Sequence, residues 1–353
     1  MTILDVAQAH FVSRFGECEA QLAGSGPAWL APVRRAAIER FAELGFPTRK
    51  NEAWKYTSVS EIAKASLDPK PPTRDGISRD DLHELLGGSV SPDVFVFEDG
   101  RFAPELSSDE TLPAGVEVGS LADALGEHPE LIRPLLDRPD PLDRPFAALN
   151  GAFQRDGAFV RVTAGTTPER PIQLLFIASP GASGRVANPR NIIRIDRGAK
   201  AAIALRYESR CPGVYWTNAM TQILLEDNAE LDLITLQLDR TSRITFPPSI
   251  SGRSATVASD PTTFLSAARS PAAKSTRDST RPEPTARSTD CFSSMASSTS
   301  TARLRWITRA PTERAANSTK GFSAAIPAES STDPCWCARM PRRRTRSNLI
   351  PIC

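Results

Sequence analysis

A strand–turn–strand pattern occurs twice in this sequence, first as Ile193-Arg-Ile-Asp-Arg-Gly-Ala-Lys-Ala-Ala-Ile-Ala-Leu205 and again as Ile223-Leu-Leu-Glu-Asp-Asn-Ala-Glu-Leu-Asp-Leu-Ile-Thr235. Gly198 aligns with Asn228 at the centre of each copy, and both residue types tolerate the left-handed conformation of a tight turn. Short strand pairs that recur without intervening helices are typical of a β-solenoid. An antiparallel sandwich is the alternative, but the recurrence of turn and strands in register favours the solenoid.

The residues before the repeat divide into a helical part and a strand-forming part. Two one-sided apolar stripes predict helices near the N-terminus, the second of which follows Pro27 and ends at Gly45 and Pro47. The stripes are Leu4, Phe11, Phe15, Cys18 and Leu22, then Trp29, Val33, Ala37, Phe41 and Leu44. Short β-branched or alternating runs predict strands at 94–97, 159–162, 172–177, 192–195, 201–207, 220–225 and 231–238. Residues 112–145 are expected to be loop with short helical pieces.

The composition changes abruptly near Arg240. Residues 241–353 carry 15 Arg and 2 Lys against 7 acidic residues, a net charge of +10, whereas residues 1–240 carry −8. The later segment is mostly Ser, Thr, Ala, Arg and Pro. Because such a segment buries little apolar surface, we expect a disordered tail without a native fold.

Three explanations compete for this tail. A basic nucleic-acid-binding tail is one, but the arginines are scattered and aromatic residues are few. A metal or redox site built on Cys335-Trp-Cys337 is another, although a lone Cys-x-Cys pair supplies only two of the four ligands that zinc needs. The third is translation of a GC-rich gene from a shifted reading frame.

The sequence contains no familiar catalytic motif: no phosphate-binding loop, dinucleotide fingerprint, nucleophile elbow or zinc-protease helix. The three histidines, His10, His83 and His128, precede the main run of strands, and we interpret them as surface or helix residues. Cys18 is interpreted as a packing residue. A reactive thiol at Cys211 is the less favoured reading of that loop cysteine. We therefore expect a scaffold and not an enzyme, and we assign no catalytic, cofactor-binding or metal-binding residue.

A polysaccharide-active β-helix enzyme is a rival interpretation. It would need clustered carboxylates, and Asp227, Glu230 and Asp232 at the second turn are the acidic candidates. A secretion signal would favour that enzyme, but Met1 to His10 has no basic segment followed by an apolar one, and no apolar run reaches membrane-spanning length. We therefore expect a cytoplasmic protein without a membrane or nucleic-acid partner, and a solvated edge at these acidic residues.

Four separated segments carry a family resemblance. They are Phe46-Pro-Thr-Arg-Lys-Asn-Glu-Ala-Trp-Lys-Tyr-Thr57, Pro145-Phe-Ala-Ala-Leu-Asn-Gly-Ala-Phe153, Arg170-Pro-Ile-Gln-Leu-Leu175 and Tyr215-Trp-Thr-Asn-Ala-Met220. In this order they resemble the SufB/SufD family of iron–sulfur cluster assembly proteins, and within it the SufD members. The resemblance runs through nearly all of residues 1–240.

The resemblance implies a helical N-terminal region over residues 1–90. A lead-in segment and a partial right-handed parallel β-helix would follow over residues 91–240. It further implies a scaffold beside SufB-like and SufC-like subunits. The SufC-like subunit would be the ATPase, and the iron–sulfur cluster would be cargo, not a cofactor held by this chain. In the family a histidine at the SufB contact and helices that dock SufC come later, and residues 241–353 do not show them.

A shifted frame accounts for that loss. Permitted codons for Arg339 to Cys353, read from the third base, spell DAQKTDAKQSNPNL, which is similar to the family's core-end motif. The same offset permits family-like text over 283–296, 306–320 and 321–340, and it begins near Leu238 to Thr245. Thr308 and Thr312 stand near where histidines would be. We therefore expect a frame-shifted, truncated product whose docking regions are lost and whose sheet end is unpaired.

Overall fold

The structure is a computed structural model that describes residues 2–51, 54, 59–70, 76–86, 93–108, 112–137, 144–237, 249–254 and 303–309. The described helices and strands all lie within one compact unit, Met1–Pro311. None of the described helices is both long enough and apolar enough to span a membrane.

Seven α-helices are described, and the first confirms the predicted N-terminal helix. It begins at a reciprocal cap, in which the Thr2 hydroxyl accepts from the Asp5 backbone N–H and the Asp5 carboxylate accepts from the Thr2 N–H. Its buried positions include Phe11, Phe15 and Leu22 of the predicted stripe. The helices are α1 (Ile3–Ala23), α2 (Leu30–Leu44), α3 (Ser60–Lys64), α4 (Arg79–Leu85), α5 (Leu121–Glu127), α6 (Pro129–Leu136) and α7 (Pro145–Phe153).

Helix α2 is also where it was predicted, but its buried face is displaced from the predicted stripe. Leu30, Arg34, Ile38 and Phe41 are buried, whereas most of the predicted stripe is only partly covered. Arg34 explains the difference. Its guanidinium donates to the carbonyl oxygen of Gln154 at 2.8 and 3.1 Å and to carbonyls at the end of α1. A buried arginine thus replaces an apolar residue because it satisfies backbone carbonyls.

The strands form two main sheets and one short pair. They are β1 (Val94–Glu98), β2 (Arg101–Phe102), β3 (Val116–Ser120), β4 (Ala158–Val162), β5 (Ile172–Ala178), β6 (Val186–Ala187), β7 (Arg190–Ile195), β8 (Lys200–Ser209), β9 (Trp216–Thr217), β10 (Met220–Leu225), β11 (Glu230–Gln237), β12 (Ser249–Ser254) and β13 (Arg303–Arg309). One sheet has the order β13-β11-β8-β5-β1-β2 and the other has β12-β10-β7-β4-β3. Strands β6 and β9 pair separately.

The two copies of the repeat lie side by side. Ile193 neighbours Ile223 in the parallel pair β7–β10, and Lys200 neighbours Glu230 in β8–β11, so both sheets keep the same residue offset. The turns have φ of 66° at Gly198 and 58° at Asn228, which is the left-handed region. The prediction of strand, tight turn and strand in each copy is confirmed.

The architecture as a whole differs from the predicted one. Both main sheets are mixed, because β1–β2 and β3–β4 are antiparallel while their other pairs are parallel. In chain order, helices α5 to α7 come between strands β3 and β4. The prediction of a mainly β, right-handed parallel β-helix is therefore wrong, and the described chain is mixed α/β without a solenoid. The repeat reports only how adjacent strands pair over residues 193–235, so it could not predict the antiparallel edges or the helices.

Two strands lie where no native fold was expected. In the 241–353 segment, β12 pairs in parallel with β10 and β13 pairs in parallel with β11. The rest of that segment lies outside the described residues. Strand β3 is a further addition, since residues 112–145 were expected to contain only loop and short helices.

Two large apolar clusters hold these elements together. The one between the main sheets includes Leu174 and Leu205 from one sheet and Ile193 and Ile223 from the other. The second, which we call the helical cluster, joins α1, α2 and α7 to β6 and β9. Burial of a large aliphatic side chain contributes roughly 1.5–3 kcal/mol, so these clusters contribute substantially to the stability of the fold.

Candidate functional site

Three of the segments that carry the family resemblance meet in the helical cluster. Trp54 of the first segment packs edge-on against Phe146 in α7, with ring centroids 4.9 Å apart, and Phe46 packs on the same ring at 5.7 Å. Trp216 of the last segment lies 5.0 Å from Phe146. Motifs far apart in sequence therefore share one packing site, centred on α7.

Asn150 anchors α7 to the loops that precede β7 and β10. Its fully buried amide donates to the carbonyl oxygens of Pro189 at 2.9 Å and Asn218 at 2.7 Å. Asn218 returns its own amide to the carbonyl of Phe146 at 3.0 Å and to the side chain of Asn188 at 3.0 Å. We call this site the motif junction, and it comprises Phe46, Trp54, Phe146, Asn150, Trp216 and Asn218.

The chemistry of the motif junction is that of packing. Its side chains are aromatic rings and amides, and none of them titrates. Arg190 donates to the Asn150 side-chain oxygen at 3.3 Å and to the Gln222 side-chain oxygen at 3.2 Å. Buried amides whose hydrogen bonds are satisfied fix geometry, so the junction sets how α7 sits on the strands.

The histidines are dispersed. His10 Nε2 lies 3.1 Å from the Leu67 carbonyl, and His128 Nε2 lies 3.2 Å from a Glu117 carboxylate oxygen. His83 is on α4. Among the described residues no group of three or more His, Cys, Asp or Glu could hold a metal ion.

The two cysteines of the described region occupy separate places. Cys18 is half-buried on α1 against the helical cluster, and burial raises the pKa of its thiol. Cys211 is buried beside Tyr215, and its thiol donates to the Gly213 carbonyl at 3.4 Å. Neither setting favours a thiolate.

Two of the three acidic candidates at the second turn face basic partners from the first copy of the repeat. Asp227 lies 3.6 Å from Arg197, and Glu230 lies 3.1 Å from Lys200. Asp232 neighbours Ala202 across the strand pair. Two of the three carboxylates are thus engaged by basic side chains, and the polysaccharide-enzyme interpretation is not favoured.

Each of the two main sheets ends, at one edge, in a strand from the 241–353 segment. Among the described strands, β12 and β13 each pair on one side only, and both lie at the same end of the strand orders. An edge strand presents backbone N–H and C=O groups that can pair with another chain. The opposite edges are the short β2 and the antiparallel β3.

The chain is similar in sequence to a known protein family. Residues 6–174, which include α7, the first two motif segments and all but the last residue of the third, match the family model of the SufBD protein N-terminal region. The match supports the SufB/SufD family.

SufBD-family proteins are also the relatives found by sequence. The chain is 25% identical over 237 residues to an iron–sulfur cluster assembly SufBD family protein of Synechocystis sp., covering 63% of this chain and 50% of that protein. It is 27% identical over 217 residues to the iron–sulfur cluster assembly protein SufD of Escherichia coli (59% and 46%). It is 25% identical over 215 residues to the chloroplastic protein ABCI7 of Arabidopsis thaliana (59% and 44%). The chain thus spans about half the length of these relatives.

The SufB/SufD resemblance drawn from the sequence is supported at the level of the family. Sequence reasoning missed Asn150 and Asn218 as anchors, although both lie inside quoted segments. The available signal was a polar residue within the apolar run Phe146 to Phe153, because a buried amide needs designated partners.

Proposed function

We propose that this chain is a SufD-type scaffold component of iron–sulfur cluster assembly. The observation that carries the proposal is the motif junction, where three family-like segments meet. Two of these segments lie within residues 6–174, which match the model of the SufBD protein N-terminal region. The activity class is that of the Escherichia coli relative, an iron–sulfur cluster assembly protein. The chain would work in the cytoplasm and would itself catalyse no reaction.

The proposed partners are a SufB-like and a SufC-like subunit, with ATP hydrolysis belonging to the latter. The cluster is cargo in this scheme, and we assign it no residue of this chain.

The origin of residues 241–353 is part of the proposal. We attribute this segment to a reading frame shifted near Leu238 to Thr245, which would remove the family's docking features. The nucleotide sequence around codons 236–246 tests this directly. A single insertion or deletion there should restore a long family-like frame, and its absence would refute the shift.

The function is tested by co-expressing the tagged chain with SufB-like and SufC-like subunits of the same genome and measuring what co-purifies. The matched control is the same chain with its frame restored. We expect the restored chain to retain both subunits and the present chain to retain SufC poorly, since a shifted frame would not encode the docking helices. If the restored chain retains neither subunit, the proposed function is wrong.

A further inference from the structure

Helices α5 and α6 pack on the outer face of the sheet that contains β4 and β7. Phe159 of β4 and Ile192 of β7 form a buried cluster with Leu121 of α5 and Ile132 of α6. The next residue on each strand belongs instead to the cluster between the two main sheets. Since successive side chains of a strand point to opposite faces, the α5–α6 pair covers the face that is turned away from that cluster.

His128 forms the corner between these two helices. Its backbone N–H donates to the Ala124 carbonyl at 2.8 Å, where α5 ends, and its carbonyl accepts from the Leu131 N–H at 3.1 Å, where α6 begins. The imidazole ring stacks on Phe159 of β4, with ring centroids 5.6 Å apart and 23° between the ring planes. A change of charge at this side chain therefore acts on both helices and on the strand beneath them.

Each nitrogen of the His128 ring faces a carboxylate from a different element. Nε2 lies 3.2 Å from Oε2 of Glu117 on β3, and Nδ1 lies 4.0 Å from Oε1 of Glu130 on α6. The other oxygen of Glu117 lies 3.6 Å from Nη1 of Arg161 on β4. In the part of the chain that the structure describes, α5 contributes no ion pair to the ring. The ring thus links the helix corner to β3, where the strand order of the sheet ends.

Protonation changes what the ring can offer to these two carboxylates. A neutral imidazole has one N–H and one lone pair, so it can donate to only one carboxylate, whereas the cation can donate to both. Hydrogen bonds between charged partners are also the stronger ones. The helix dipoles largely cancel, because a cation is favoured at the end of α5 and disfavoured at the start of α6. The carboxylates therefore determine the sign, and proton uptake by His128 stabilises the folded arrangement.

We propose that His128 is a proton-sensitive clasp that holds the α5–α6 pair to β3 more firmly in weakly acidic solution than at neutral pH. Histidine side chains change charge between about pH 5 and pH 8. The added stability is present at the acidic end of this range and is lost as the pH rises through it. Below about pH 4.5 the carboxylates themselves take up protons, so the clasp weakens again. The inference does not depend on the proposed function.

Hydrogen exchange of a peptide covering α6, measured in the full chain at pH 7.5 and pH 5.5, tests the proposal. After correction for intrinsic exchange rates, we expect the protection of the parent to rise about threefold more at the lower pH than that of His128→Gln, which cannot take up a proton. His83→Gln, at an exposed position on α4, is the matched control and should respond like the parent. Equal responses of the parent and His128→Gln would overturn the proposal.

Substitutions of the two carboxylates separate a clasp from a general effect of pH. Glu117→Gln should remove most of the response, because Glu117 makes the shorter contact with the ring. Glu130→Gln should remove a smaller part, since its carboxylate is more distant and more exposed. Both variants keep the imidazole, so they decide the question even if His128→Gln does not fold. A response that survives in Glu117→Gln at the level of the parent would refute the clasp.

Discussion

At the scale of single residues, Asp68 shows how one carboxylate ties separate segments together. It accepts from Arg14 on α1 at 2.9 Å, from Arg185 at 2.9 Å and from the Lys70 N–H at 3.0 Å. Burial alone would raise its pKa, but these donors hold the pKa below its ordinary value. We expect Asp68→Asn to lower the free energy of unfolding at pH 7 by about 1–2 kcal/mol, measured by urea denaturation.

The sign of the pH dependence follows from the lowered pKa. The stabilisation is fully present above the unfolded carboxyl pKa of about 3.9 and is lost as the pH falls through the lower folded value. The difference between Asp68→Asn and the parent should therefore shrink toward pH 3. Glu17→Gln, which alters an exposed partner of the same Arg14, is the control and should change stability by less than about 0.5 kcal/mol. An effect of Asp68→Asn that is equal at pH 7 and pH 3 would contradict the account.

At the scale of elements, the docking of α7 depends on the Asn150 amide. Asn150→Asp would place a carboxylate against the carbonyl oxygens of Pro189 and Asn218, with no hydrogen left to donate. We expect a loss of about 3 kcal/mol in the free energy of unfolding, measured by chemical denaturation. The same substitution at Asn228, on an exposed left-handed turn, should be nearly neutral because aspartate tolerates that conformation. Equal effects at the two positions would show that the α7 contacts are not special.

At the scale of the whole molecule, the two apolar clusters should open together. The α7 helix belongs to the helical cluster, yet Asn150 bonds to the residues that lead into β7 and β10. We expect hydrogen exchange of peptides covering α7 and β8 to report the same opening free energy, since neither cluster can lose its partner alone. Peptides from the exposed first turn of α1 provide the fast-exchanging reference. Clearly different opening energies for α7 and β8 would indicate two independent units.

Local patterns predicted much of this structure, because they depend on neighbours in sequence. The apolar stripe of α1, the end of α2 at Gly45 and the turns at Gly198 and Asn228 all follow from helix periodicity or backbone freedom. The buried face of α2 could not be predicted in this way, because Arg34 is buried where it donates a hydrogen bond to the Gln154 carbonyl oxygen, 120 positions away in sequence.

The pairing of strands and the packing of helices on them were less predictable, because they depend on residues far apart in sequence. The antiparallel strands β3 and β4 lie far apart in the chain. Nothing in the Val116 to Ser120 sequence specifies which strand it will pair with. In the sequence, the motif junction is visible only as three of the four separate segments that resemble the family. Its anchors, Asn150 and Asn218, become intelligible once each side chain is seen to satisfy a distant carbonyl.

The constant residue offset between the two copies of the repeat limits which mutations this region can accept during evolution. Side chains alternate between the two faces of a strand, so a single deletion within β11 would exchange the interior Leu231 and Leu233 for Asp232 and Ile234. Point substitutions can change one contact at a time, whereas a change of chain length alters a whole row. Between Arg190 and Gln237, substitutions should therefore be tolerated far more readily than insertions or deletions.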